Sequence, residues 1–220
     1  TAYTRMEADY SGIHSEALYY VPLGKSYEVW NLKITNNTDA PRNLNITGYA
    51  EFTNNNNYEQ DQVNLQYSMF ITRTAFEKDR IRQTIHGNLD GLEDGKEVDN
   101  KLAIDRFFGL AGAQVASYCG DREKFIGRYH GYGNPVGVLN GDLGGELSYN
   151  ENGCGALATT LTLAAGETKE IAFVLGMKYK DEADRIMKNY ENPSQTCARE
   201  LEELVTYWHE KLSHFQVKTP

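Results

Sequence analysis

The chain has 220 residues, 40% hydrophobic and 24% charged, with a formal net charge of −9. That length can bury one large core, and the acidity disfavours nucleic acid and anionic membrane surfaces as partners. No run approaches the roughly 18 apolar residues of a membrane span, no signal peptide is visible, and the first residue is Thr1 rather than Met, as expected of a processed or excised chain. Cys119, Cys154 and Cys197 are odd in number and far apart, with no Cys-x-x-Cys. Neither a disulfide framework nor a zinc site is expected, and a reducing, cytoplasmic setting fits.

Taken in order, residues 18–21 (LYYV) read as a strand stopped by Pro22 and Gly24. Residues 27–35 alternate, with Trp30, Leu32 and Ile34 on one side and Val29, Asn31 and Lys33 on the other. A dense turn signal follows at Asn36, Asn37, Thr38, Asp39, Ala40 and Pro41. Leu44, Ile46, Gly48, Ala50 and Phe52 then resume a period of two, which predicts a hairpin across that turn. Asn36-Asn37-Thr38 and Asn45-Ile46-Thr47 match the glycosylation pattern, which carries no meaning in an intracellular chain.

Residues 54–57 are four consecutive asparagines, and residues 62–72 alternate again. Val63, Leu65, Tyr67 and Met69 face one way, and Asn64, Gln66 and Ser68 the other. Neutral amides both donate and accept hydrogen bonds, as sugar hydroxyls do. The plain alternative is a half-buried strand with a solvated face. Residues 82–85 predict a further strand. Residues 86–101 are acidic and Gly-rich without periodicity, and Leu92 and Lys101 stand where a calcium loop needs oxygen ligands, so an exposed loop is expected.

Residues 102–115 predict a strand around Phe107, Phe108 and Leu110. Residues 127–145 are rich in Gly, Tyr and Asn, an irregular loop by default. Gly131 and Gly133 lack the rest of a dinucleotide fingerprint. Tyr129, His130 and Tyr132 could stack on a sugar ring from such a loop. Leu157, Thr159, Leu161 and Leu163, a turn at 164–167, then Ile171, Phe173 and Leu175 predict a second hairpin. Almost no helical signal precedes Gly176. Many short strands with regular turn punctuation indicate an all-β fold, a large antiparallel β-sandwich.

The composition changes after Lys178. Ala183, Ile186, Met187 and Tyr190 fall at helical spacing. Asn192 and Pro193 are a cap and a first helical residue. Leu201, Leu204, Val205, Trp208, Leu212 and Phe215 then form an apolar stripe on a helix of about twenty residues. The sequence therefore divides into a sandwich over residues 1–178 and a two-helix linker over 179–220.

Glycoside chemistry usually needs paired carboxylates. Glu51, Asp61, Asp105 and Glu123 are candidates, yet no spacing singles out a pair. No nucleophile, metal or phosphate motif is present. The five histidines, His14, His86, His130, His209 and His214, are scattered.

Four stretches carry a resemblance: residues 21–54 (VPLGKSYEVWNLKITNNTDAPRNLNITGYAEFTN), 61–71 (DQVNLQYSMFI), 125–135 (FIGRYHGYGNP) and 152–176 (NGCGALATTLTLAAGETKEIAFVLG). In order and spacing they resemble the amino-terminal domain of the cellobiose phosphorylases, inverting disaccharide phosphorylases of glycoside hydrolase family 94. Sister phosphorylases of chitobiose, laminaribiose or longer cellodextrins share the architecture, and Gln66-Tyr67 favours the cellobiose branch. The resemblance implies a supersandwich, a helical linker, an α-barrel catalytic domain and a small carboxy-terminal β domain. This chain resembles only the later part of the sandwich and the linker. The implied reaction turns cellobiose and phosphate into α-glucose 1-phosphate and glucose. Phosphate is itself the nucleophile, so no second carboxylate base is required, and the acid belongs to the barrel.

The resemblance also implies a cytoplasmic homodimer without cofactor. The sandwich would wall the active-site opening, with Gln66, Asn64 and Asn57 on the acceptor side and no catalytic residue of its own. The chain alone is then expected to be inactive. A non-catalytic carbohydrate-binding module is the alternative from a different class.

Overall fold

The computed structural model describes residues 2–52, 72–85, 92–93, 96–97, 105–178, 180–214 and 217. The predicted strand over 62–72 therefore lies outside the described residues, apart from Thr72. The strands in chain order are β1 (Tyr3–Tyr10), β2 (Ile13–Tyr20), β3 (Tyr27–Asn36), β4 (Arg42–Glu51), β5 (Thr72–Glu77) and β6 (Arg80–Ile85). They continue as β7 (Leu92–Glu93), β8 (Lys96–Glu97), β9 (Asp105–Ala111), β10 (Ser117–Asp121), β11 (Gly153–Leu163) and β12 (Thr168–Lys178). Two short helices, α1 (Arg122–Ile126) and α2 (Val136–Asn140), sit between β10 and β11, and α3 (Lys180–Asn189) and α4 (Pro193–Ser213) close the chain.

One antiparallel sheet runs β1-β2-β3-β12-β9-β6-β5 and a second runs β10-β11-β4. Their facing sides make the sandwich core, with Ile34, Ile81, Phe108, Leu157, Ile171 and Phe173 buried between them. Burying each such side chain contributes roughly 1.5–3 kcal/mol. The sheets approach closely at Gly48, where a Cβ would lie 2.5 Å from the Phe173 ring. The outer side of the large sheet is apolar too. Tyr27, Val29, Phe107 and Val174 bury against Ala183 and Met187 of α3 and Cys197 and Leu204 of α4. The small sheet's outer side packs Cys154, Ala156 and Ala158 against Phe125 and Ile126 of α1 and Leu143.

Both predicted hairpins are instead arches between the sheets. β3 pairs with β2 and β12, whereas β4 pairs with β11 in the other sheet. β11 and β12 are split in the same way. The alternation holds, but these strands have apolar residues on both sides, so nothing in their pattern ties them to the nearest strand. The two arches stack on Asn36, which is fully buried. Its Nδ2 donates to the carbonyls of Ala40 (2.8 Å), Leu163 (3.2 Å) and Ala164 (3.0 Å). Its Oδ1 accepts from the backbone N–H (3.1 Å) and hydroxyl (2.6 Å) of Thr38. Buried there, Asn36 cannot take a glycan in the folded protein.

The actual hairpin near the start is β1–β2. Ser11 (φ 50°) and Gly12 (φ 77°) turn it in the left-handed region, as a two-residue hairpin turn needs. Two short paired strands, β7 and β8, stand within the stretch expected as an exposed loop, and the helices α1 and α2 stand in a region that shows no helical periodicity because each has only one turn and a half.

The carboxy-terminal helices form where the spacing puts them. The Asn192 side chain accepts from the Gln195 N–H, and Pro193 follows it. The buried face of α4 is Thr196, Cys197, Glu200 and Leu204. It starts earlier than the predicted stripe and ends sooner, because Trp208 and Leu212 remain 40% and 52% exposed. Glu200 is held by two buried hydroxyls, from Tyr20 (3.0 Å) and Tyr190 (2.8 Å). Burial raises both phenols above their ordinary range. They therefore stay protonated, as donors to the carboxylate.

Candidate functional site

Asn57, Asn64 and Gln66, the residues expected on the acceptor side, lie outside the described residues, as do Asp61 and His86. What is described is the ground on either side of them. β4 delivers the chain to Phe52, and β5 takes it up at Thr72. Both ends meet the start of β11. Glu51 is in register with Cys154, and the Thr72 hydroxyl donates to the Glu151 carbonyl at 3.3 Å.

On β4 the alternation sends Ala50 and Phe52 into the core, and Tyr49 and Glu51 to the outer side, where Tyr49 stacks on Phe125 at 4.6 Å. Glu51 Oε1 receives three hydrogen bonds of 2.7 Å, from the hydroxyls of Tyr49 and Tyr132 and from Arg122 Nε. Arg122 Nη2 also donates to the Tyr132 hydroxyl at 2.7 Å. Burial opposes ionisation of Glu51, but the bonds from Tyr132, Tyr49 and Arg122 outweigh it and hold the carboxyl below its ordinary value. The bonds to Tyr132 and Glu51 raise Arg122 in turn. The cluster is thus a fixed carboxylate–guanidinium pair with a phenol bridging it.

Of the predicted aromatic loop, Tyr132 joins this cluster and Tyr129 stands 98% exposed at φ 68°. His130 does not point to chemistry, since its Nδ1 is 2.9 Å from the Asn134 carbonyl. Gly131 N–H donates to Asn134 Oδ1 at 3.1 Å, which closes the loop on itself. On the other flank, the Arg73 guanidinium lies 4.1 Å from the Tyr149 ring centre and Nη2 donates to the Tyr149 hydroxyl at 2.6 Å. Sequence reading finds Tyr132 and names Glu51 only as one acid among several. Tyr49 and Glu51 share a strand face by their spacing, a signal that was there to use, whereas nothing local announces Arg122, Arg73 or Tyr149.

The carboxylates considered for acid–base work fall on different elements where they are described. Glu51 faces a guanidinium and two phenols, Glu123 lies on α1 within 4.0 Å of Arg128, and Asp105 opens β9. Among the described residues no group of three His, Cys, Asp or Glu side chains could hold a metal ion. The three thiols are free and buried, and burial pushes Cys197 up to about 12 and raises Cys119 and Cys154, which leaves them inert as nucleophiles. Grooves also lie elsewhere, and two of them are apolar. One of about 690 Å³ runs between α4 and residues 21–25, and one of about 520 Å³ lies between β1–β2 and β4. Apolar side chains dominate both. No described helix is long and apolar enough to cross a membrane.

Known proteins bear on this arrangement. The sequence model of the glycosyl hydrolase 94 supersandwich domain matches residues 1–193. The chain is 29% identical over 220 residues to an N,N'-diacetylchitobiose phosphorylase of Vibrio proteolyticus, covering 100% of this chain and 26% of that protein. It is 28% identical over 219 residues to the enzyme of the same name in Vibrio furnissii, with the same coverage. A solabiose phosphorylase of Paenibacillus borealis is 24% identical over 172 residues, covering 75% of this chain and 20% of that protein. The chain thus spans about a quarter of the length of the chitobiose phosphorylases it matches. With its supersandwich matched over nearly its whole length, this chain belongs to the glycosyl hydrolase 94 family.

Proposed function

We propose that this chain is part of an inverting disaccharide phosphorylase and forms one wall of its active-site opening, on the acceptor-sugar side. The observation that carries the reading is the match of residues 1–193 to the supersandwich domain, joined to alignment of the whole chain with about a quarter of two phosphorylases. In the parent protein, phosphate attacks the anomeric carbon of a β-linked disaccharide from the face opposite the leaving sugar. The departing oxygen takes a proton from an acid supplied by an α-barrel domain outside these residues. Phosphate is already anionic, so the wall supplies no base. Its part is recognition by Gln66, Asn64 and Asn57, each bond contributing about 0.5–1.5 kcal/mol.

The preferred substrate in this reading is cellobiose, for which Gln66-Tyr67 speaks. A second reading is N,N'-diacetylchitobiose, favoured by the names of the two Vibrio relatives. The reading also carries a sandwich over residues 1–178, a helical linker over 179–220, a homodimer, a cytoplasmic setting and no cofactor.

The test uses the parent enzyme with inorganic phosphate and either disaccharide. Glucose 1-phosphate from cellobiose is the expected product. N-acetylglucosamine 1-phosphate from chitobiose alone would replace the first sugar by the second, and no sugar phosphate from either would overturn the phosphorylase reading. Release of glucose 1-phosphate by the pure 220-residue chain would overturn the assignment of the acid to another domain.

A further inference from the structure

We propose that Glu51, Arg122 and Tyr132 are positioning residues for acceptor binding: they lock the loop bearing Tyr129 and Tyr132, aromatic rings that could stack on a sugar, to the last residue of β4. The inference rests on the acceptor-wall reading above.

Three independent parts of the chain meet at one carboxylate oxygen. Tyr49 and Glu51 come from β4, Arg122 from the start of α1, and Tyr132 from the loop after α1, each donor reaching the oxygen over 2.7 Å. A surface ion pair is ordinarily worth little because two long side chains must be ordered to make it. Here the ordering is shared. The Tyr132 hydroxyl both donates to Glu51 and accepts from Arg122, and Asp121 caps α1 by accepting from the Lys124 N–H at 3.0 Å, which fixes the root of Arg122.

Beyond the bonds that close it on itself, few described contacts hold the loop. Tyr132 is 63% exposed and Tyr129 is 98% exposed, so packing does not define its place. Tyr129 also sits at positive φ, a conformation that a non-glycine residue keeps only where its surroundings impose it. Removing the junction should therefore release the loop and the end of β4 together while leaving the sandwich core intact. Groups held in place in advance bind a sugar more tightly than the same groups when free. The effect belongs in acceptor affinity, because none of these residues reaches a reacting atom in this reading.

The experiment measures the synthetic direction in the parent enzyme, with α-glucose 1-phosphate as donor and glucose as acceptor. Glu51→Ala is expected to raise acceptor KM about tenfold with kcat and donor KM changed less than twofold. Tyr132→Phe, which keeps the ring and removes one link, is expected to raise acceptor KM about threefold, and Glu51→Gln should recover part of the loss, since an amide oxygen still accepts from both phenols. Gln66→Ala is run beside them as the control on the underlying reading. Acceptor KM raised by Gln66→Ala but untouched by Glu51→Ala and Tyr132→Phe would overturn the positioning role and leave the wall standing. Acceptor KM untouched by Gln66→Ala as well would overturn both. A fall in kcat at unchanged acceptor KM would also overturn the positioning role. Should Glu51→Ala not fold, Tyr132→Phe decides by itself.

Discussion

Among the described residues, two carboxylates are gripped by tyrosine hydroxyls, one on each side of the layered fold. Glu200 lies between α4 and the large sheet, 9% exposed, bonded by Tyr20 and Tyr190. Glu51 lies at the outer edge of the small sheet with its side chain 41% exposed, bonded by Tyr49, Tyr132 and Arg122. The chemistry is nearly the same, and the surroundings make it do different work. In the interior, an unpaired hydroxyl has no water to turn to, so the Glu200 knot pins the helices to the sheet. At the rim, water can replace any lost partner, so the Glu51 junction adds order more than stability.

The largest test of that contrast is Glu200→Ala. It takes the carboxylate acceptor from two buried phenols and should destabilise the chain by about 2–4 kcal/mol, read as a lower urea midpoint. A loss no larger than that of Glu51→Ala would break the comparison. Next comes alkali. Burial raises Tyr20 and Tyr190 above the ordinary 10.0, so the folded state favours their protonated forms. Their contribution is fully present below that value and falls as pH rises above it. The urea midpoint should drop steeply above about pH 10, and less steeply in Tyr190→Phe, which itself should cost about 1 kcal/mol at neutral pH.

The smallest effect lies at the opposite end of the scale. Glu51 is held below its ordinary value, so its contribution is present above about pH 4.5 and is lost as pH falls through the lower folded value. The gap in urea midpoint between the native chain and Glu51→Gln should correspond to less than about 1 kcal/mol at neutral pH, after screening by solvent, and vanish in acid. A gap that persisted at low pH would mean that packing, and not ionisation, holds the rim.

Periodicity is legible in the sequence, because alternation and helical spacing are local. It identifies the strands around Trp30, Phe108 and Phe173 and the cap at Asn192. It does not say which sheet a strand joins, since Val29 beside Trp30 marks a strand buried on both faces and offers two partners. The buried carboxylate is hidden for a related reason: Glu200 breaks the apolar pattern of α4, and the hydroxyls of the distant Tyr20 and of Tyr190 make its burial tolerable. At the rim, composition reveals Tyr132, while Arg122 has no local mark because its role comes from a strand seventy-one residues away.

The stacked arches also set the order of events at the ribosome. Asn36 waits for carbonyls that arrive 127 and 128 residues later, and β4 finds its ladder partner only when β11 has been made. Until then the first half of the nascent polypeptide must linger with an unzipped edge, a slow, long-range closure during which association with a neighbouring copy is the principal hazard.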